Sequence, residues 1–235
     1  MMLMNPYRFA AGGGPPPPAT DPYWANVVLL MHFDGSDGQT TTTDSSSYAR
    51  SVSSAGSLLP TLSTTDARFG ATSALFTGGG NSAFTCAASA DTQFGTGDFT
   101  VEMWLRAESF GTSPYVVSNR RSSSGLGWYI TLDTAGVVSW GWDGGLASFG
   151  YLTATTWQYL AFRRASGVLE CWVDGTRSGA PLAHTVDYQL VDRLMSIGRD
   201  NSSGNNLNGR VDELRITKGV ARDVSAVPTA AFPTG

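Results

Sequence analysis

The chain has 235 residues, of which 41% are hydrophobic and only 14% charged, with 28 glycines, seven tryptophans and a formal net charge of −4. A chain of this length buries enough apolar surface to fold without a disulfide framework or a metal staple. Its charge-poor, mildly acidic balance argues against nucleic acid as a partner, because that recognition needs clustered Lys and Arg.

Residues 1–22 differ from the rest. Met4-Asn5-Pro6-Tyr7-Arg8-Phe9 is a short apolar and aromatic segment, and Ala10–Ala19 follows with three consecutive glycines and four consecutive prolines. Glycines make a hinge and prolines an extended rod, so residues 1–22 are expected to be a partner-anchoring peptide on a linker, and residues 23–235 one folded domain. The start lacks the basic region and long apolar stretch of a signal peptide, and no apolar run reaches membrane-spanning length. The chain is therefore expected to be made in a cytoplasm and to have no membrane partner.

From Trp24 the pattern becomes β. Val27–Phe33 is a near-continuous apolar run that fits a strand covered on both faces, and Asp34-Gly35 ends it. Residues 35–57 read as a long polar loop with one short strand. Ala74–Thr77 and Ala83–Cys86 flank a glycine-rich turn, and Phe99–Arg106 alternates as the clearest long strand. Tyr115–Ser118 follows. Trp128–Leu132 and Val137–Trp142 form a hairpin about Asp133–Gly136, and Gln158–Arg164 and Val168–Val173 form another about Ala165–Gly167. Asp174-Gly175 closes the last of these. Leu194–Gly198 and Gly209–Ile216 end the pattern, before one helix-like turn at Lys218–Asp223. Strands of this number and spacing indicate an all-β sandwich or barrel. Two cysteines, Cys86 and Cys171, make no disulfide framework and are expected to be free thiols.

Several segments carry a resemblance. Asp98-Phe-Thr-Val-Glu-Met-Trp-Leu, Trp157 through Gly175, Ile197-Gly198 and Leu207 through Arg222, together with Leu30–Gly35, Asp44-Ser-Ser and Gly70–Phe76, resemble the laminin G-like members of the concanavalin A-like lectin/glucanase superfamily over about residues 27–222. The resemblance implies a two-sheet antiparallel jelly-roll sandwich. It says little about activity, since a fold does not determine function. The layout of residues 5–9, the proline linker and Asp21–Gly35 also resembles virion proteins of tailed bacteriophages. That likeness implies a virion surface component of head or tail, bound to other virion proteins through residues 1–22, homo-oligomeric, and presenting its domain to host-surface glycans.

Glucanases of this superfamily place carboxylates at alternate positions of one strand so that both face the cleft. Here Glu102 stands alone, Asp212 and Glu213 are adjacent and are expected on opposite faces, and Asp174 lies in a turn, so the chain is not expected to be an enzyme. A free carbohydrate-binding protein and a hydrolase with an unfamiliar site are the alternatives. Asp34, Asp44 and Asp212 match acidic positions of the family and suggest either one structural calcium or, with no cofactor, ordinary turn aspartates. For sugar stacking on aromatic rings, Trp140 and Trp142 share a strand face, Asp143 follows, and Trp128, Tyr129 and Tyr151 are neighbours through the hairpin. The competing expectation is that the tryptophans fill the core.

Overall fold

The computed structural model describes residues 20–111, 113–120, 127–142, 144–189, 194–200 and 205–235. Among these residues sixteen strands follow one another: β1 (Val27–Met31), β2 (Thr41–Thr43), β3 (Ser51–Ala55), β4 (Thr61–Ser63), β5 (Ser73–Thr77), β6 (Ala83–Cys86), β7 (Phe99–Ser109), β8 (Tyr115–Ser118), β9 (Trp128–Leu132), β10 (Val137–Trp142), β11 (Gly145–Tyr151), β12 (Gln158–Ala165), β13 (Val168–Val173), β14 (Thr176–Ala183), β15 (Met195–Ile197) and β16 (Asn208–Lys218). They form two antiparallel sheets. The first runs β14-β13-β12-β7-β16-β5-β4, and β1 also pairs with β16; the second runs β11-β10-β9-β8-β15-β6-β3-β2. This is the expected sandwich.

The core lies between the sheets. Val101, Met103, Leu105, Phe162, Val211, Leu214 and Ile216 of the first sheet meet Phe84, Val117, Ile130, Val138 and Ile197 of the second. Strand alternation sends the intervening residues to the outer faces. A second, smaller cluster covers the outer face of the first sheet, where Leu30, Trp104, Tyr159 and Ala161 pack under Val224 and Phe232 of the C-terminal segment.

That cluster is tied down by charge. Asp21, buried at 5% exposure, receives Nη1 and Nη2 of Arg222 at 2.9 and 2.8 Å and Nη1 of Arg215 at 3.0 Å. Arg215 Nε donates to Glu102 at 2.9 Å, and the Tyr159 hydroxyl donates to the same carboxylate. The quartet of Asp21, Glu102, Arg215 and Arg222 balances its own charge and joins the two chain ends across one sheet face. The domain boundary expected after residue 22 therefore moves: Asp21 belongs to the folded body. Residues 4–9 of the expected anchor lie outside the described residues.

Three further expectations change. The polar stretch 35–57 holds two strands, β2 and β3. The segment after Lys218 is irregular. The strands β11 and β14 were not expected; both are sheet edges, rich in Gly or broken by Pro181, and nearly all their residues are half-buried or exposed. Their signal was present at one point. Asp174 and Gly175 both adopt positive φ, 49° and 73°, the type I′ geometry of an Asp-Gly hairpin, so the pair not only ends β13 but turns the chain into β14. Both cysteines are free and buried, as expected, and burial pushes the Cys86 thiol up to about 11.

Candidate functional site

The structure divides the expected aromatic site into three places. Trp128 and Trp140 are wholly buried and stack on each other, with centroids 5.0 Å apart and planes at 8°. Phe94 and Phe99 continue the stack. Both indole nitrogens are spent internally, Trp128 Nε1 on the Thr92 carbonyl and Trp140 Nε1 on the Tyr188 hydroxyl at 2.8 Å. No sugar can reach either ring, so these two are corrected to core. The hairpin register that pairs Trp140 with Ile130 turns both strands' even-numbered residues inward.

Tyr129 lies on the opposite face of the same sheet. Its ring covers Gly141, where any side chain would collide with it. Tyr115 stands 5.2 Å away, and the Arg120 guanidinium sits 4.5 Å over the Tyr129 ring. Arg120 is held by buried Asp200 at 2.8 Å, which also accepts from Ser118 Oγ at 3.0 Å. Tyr115, Arg120 and Asp200 carried no local signal in the sequence, because they meet only through cross-strand pairing and a loop that folds back. With Tyr129 only 8% exposed, this cluster offers little open ring surface.

Trp142 differs from its strand-mate Trp140. It points inward too, but it is the last residue of β10. It is half-buried, packs edge-on against His184 with centroids 4.6 Å apart, and forms part of a groove of about 440 Å³ between β11 and β14. Leu146, Phe149, Pro181 and Leu182 line the rest. The two edge strands can draw close beyond it because Gly150 faces Ser178 and Gly179 faces Phe149 without intervening side chains. Leu146 is 54% exposed beside Trp142, and Tyr151 is 68% exposed at the far end of β11. Burial, reinforced by the Arg164 charge, lowers His184 to about 4, so it stays neutral near pH 7. Asp143 lies outside the described residues.

The three expected calcium ligands are not gathered into one set. Asp44 is buried and accepts from the amides of Leu30 (3.0 Å), Ser46 (2.9 Å) and Arg50 (3.2 Å), with the Arg50 guanidinium at 3.3 Å. Asp34 accepts from the Ala71 amide at 2.8 Å. Asp212 accepts from the amides of Arg68 (2.8 Å), Phe69 (3.1 Å) and Glu213 (3.0 Å). Each aspartate organises a loop backbone, and an ion would have to displace those amides. No group of three or more His, Cys, Asp or Glu placed to hold a metal occurs among the described residues.

The adjacent pair Asp212-Glu213 corrects another expectation. A register shift between Asp212 and Arg215, with Glu213 at φ 52°, puts a bulge in β16. Val211 and Leu214 both point into the core, so Asp212 and Glu213 share the outer side. Both are buried, and Glu213 is bound by His32 Nδ1 at 2.9 Å and the Phe232 amide at 2.8 Å. Burial, aided by Glu213, pushes the Asp212 carboxyl up to about 8 against its three amide donors. Burial alone would lower His32, but the hydrogen bond and charge of Glu213, with Asp34 and Asp212 nearby, hold it above its ordinary value.

These two shifts carry a pH prediction. A group whose folded pKa is raised binds more protons in the native state, so its stabilisation is complete below its unfolded pKa and is lost as pH rises through the folded one. Asp212 acts between about 4 and 8, and His32 from about 6.5 upward. The melting temperature should therefore fall from pH 6 to pH 9, with a shallower slope in His32→Gln. A flat or rising calorimetric profile across that range would contradict the arrangement.

A profile of the concanavalin A-like lectin/glucanases superfamily matches residues 77–223. No curated protein matches the sequence. Among solved structures, the chain is similar to the binding domain of Paraclostridial Mosquitocidal Protein 1, with a TM-score of 0.65 at 14% identity over 86% of this chain and 52% of that one. It is similar to domain 4 of AbnA, a GH43 extracellular arabinanase from Geobacillus stearothermophilus, solved with arabinotriose: TM-score 0.64, 16% identity, 85% of this chain and 97% of that one. A third is the receptor-binding domain of botulinum neurotoxin type G, with a TM-score of 0.62, 13% identity and coverage of 85% and 50%. The chain spans about half the length of the two toxin domains, and at these identities the likeness is one of fold. The two sheets and the matched segment together place the chain in the laminin G-like family of the concanavalin A-like lectin/glucanases superfamily.

Proposed function

We propose that this domain is a non-catalytic, lectin-like module that binds glycans in the groove between β11 and β14. One observation carries the reading: Trp142 borders an open groove at the sandwich edge, with exposed Leu146 beside it. A sugar presents apolar C–H faces that stack on such a ring, and pockets of this kind need few polar groups to orient a ligand. None of the described lining residues is acidic, which favours binding over hydrolysis, since acid–base cleavage needs a placed carboxylate pair. The solved neighbours support a binding role: one was determined with arabinotriose, and a report on botulinum neurotoxin type C describes cell entry dependent on two ganglioside molecules.

The same proposal sets the module on the surface of a bacteriophage particle, attached through its N-terminal arm and present in several copies. Multiple copies let weak single sites add by avidity.

Trp142→Ala should lower binding to immobilised glycans at least tenfold, equivalent to about 1.4 kcal/mol, with the fold kept because the ring lies at the margin of the core. An array on which the variant and the parent bind the same glycans equally well would remove the groove from consideration. For the arm, deletion of residues 1–20 should abolish incorporation into particles while the domain still folds. Normal incorporation of that truncated chain would rule out the anchoring role.

A further inference from the structure

A second cleft lies where the C-terminal segment crosses the outer face of the first sheet. It has a volume of about 340 Å³, and Arg215, Arg222, Pro228, Ala230, Ala231 and Phe232 are among its walls. Arg215 is more than nine-tenths buried. Its Nε is spent on Glu102 and its Nη1 on Asp21, while Nη2 makes no hydrogen bond among the described residues. The Phe232 ring stacks 3.9 Å from the same guanidinium and holds it in place. The cleft therefore offers a fixed charged donor surrounded by prolines, alanines and a phenylalanine.

The ligand chemistry follows from the charge count. Asp21 and Glu102 already neutralise Arg215 and Arg222, so an anion entering the cleft would gain little and would meet the Asp21 carboxylate. A neutral acceptor avoids that repulsion, and a bond from a charged donor is among the stronger ones. The apolar walls favour a small methyl-bearing group beside the acceptor. An acetamido group has both: a carbonyl for Arg215 Nη2 and a methyl for Ala230, Ala231 and Phe232.

We infer that this cleft is a second sugar subsite, selective for 2-acetamido sugars through Arg215. The inference rests on the glycan-binding reading but on a different surface from the Trp142 groove.

Titration of the full chain with N-acetylglucosamine, glucose and glucuronate, followed by ¹H–¹⁵N NMR, tests it. N-acetylglucosamine should shift the Arg215 Nε–H and the amides of residues 229–232 saturably, with at least tenfold preference over glucose and glucuronate. Ala231→Trp fills the cleft from its rim, leaves the charge quartet in place and should abolish those shifts at unchanged melting temperature. Equal response to glucose, preference for glucuronate, or retention of the shifts in Ala231→Trp overturns the inference. Sugar binding that is lost in Trp142→Ala but untouched in Ala231→Trp overturns this subsite and leaves the groove standing; absence of binding by all three sugars and on the glycan array overturns both.

Discussion

Asp21→Ala is expected to destabilise the domain by about 3–5 kcal/mol, because it strands two buried guanidinium groups without their shared carboxylate. For a chain of this size that is a fall in melting temperature on the order of 10 °C. The loss has a clear origin. Arg222 meets Asp21 through both terminal nitrogens, and Arg215 meets it through one. Both cations are over nine-tenths buried, so water entering from the neighbouring cleft replaces the lost partner only in part. The Arg222 pair holds the C-terminal segment over Trp104 and Tyr159, so its release also frees Val224 and Phe232 from the outer cluster. Truncations make the same point sharply: removal of residues 1–20 should leave the melting temperature unchanged, and removal of residues 1–22 should reproduce the Asp21→Ala loss. Equal melting temperatures for the two truncations, by differential scanning calorimetry, would show that the clamp contributes nothing. The result also decides which truncation is fit for testing the arm, because a deletion through residue 22 confounds anchoring with unfolding.

Arg164→Met should cost a comparable amount, about 3–5 kcal/mol, by a different mechanism. Arg164 is fully buried, and it donates to carbonyls: Gly97 at 2.8 and 2.5 Å, Gly95 at 2.7 Å and Val186 at 2.7 Å. It lies over the rings of Phe99 and Tyr188, where it pins the loop after Thr92 and the segment after β14 against the tryptophan stack. Burial lowers its pKa, opposed by the charges of Tyr188, Asp98 and Asp187. Methionine keeps the aliphatic stem but removes every donor, and each buried carbonyl left without one costs about 1–3 kcal/mol. Lysine is no remedy, because one ammonium cannot reproduce the planar fork that reaches three carbonyls. Chemical denaturation should give Arg164→Lys a loss of at least about 2 kcal/mol. A lysine variant as stable as the parent would mean that the fork geometry does not matter.

Much of the architecture was legible in the residues. The alternation of Phe99–Arg106, the apolar run from Val27 and the turn residues at 133–136 and 165–167 located central strands and hairpins, because a period of two and a positive φ are local properties of the chain. The edge strands β11 and β14 escaped, since a strand with one neighbour and mixed exposure has no fixed pattern to read. The candidate site was legible only in part. Alternation correctly put Trp140 and Trp142 on one face, but it could not say that this face is the inner one, nor that only the first of the two is wholly buried. The choice between core plug and ligand platform was made by packing across the sandwich: Phe99 and Phe162 of the first sheet cover Trp140, whereas Trp142, at the end of β10, is only half-buried.

By itself, then, the sequence determined the fold class, the central strands and their hairpins, all of which follow from short-range periodicity and turn stereochemistry. Tertiary structure alone decided which aromatic is open, that Asp44, Asp34 and Asp212 brace separate loops, that a bulge turns Asp212 and Glu213 to one side, and that Asp21 closes the domain. Asp21 and Arg222 are 201 residues apart. A contact at that separation depends on how the two sheets and both chain ends pack in space, and it leaves no trace in the residues beside either partner.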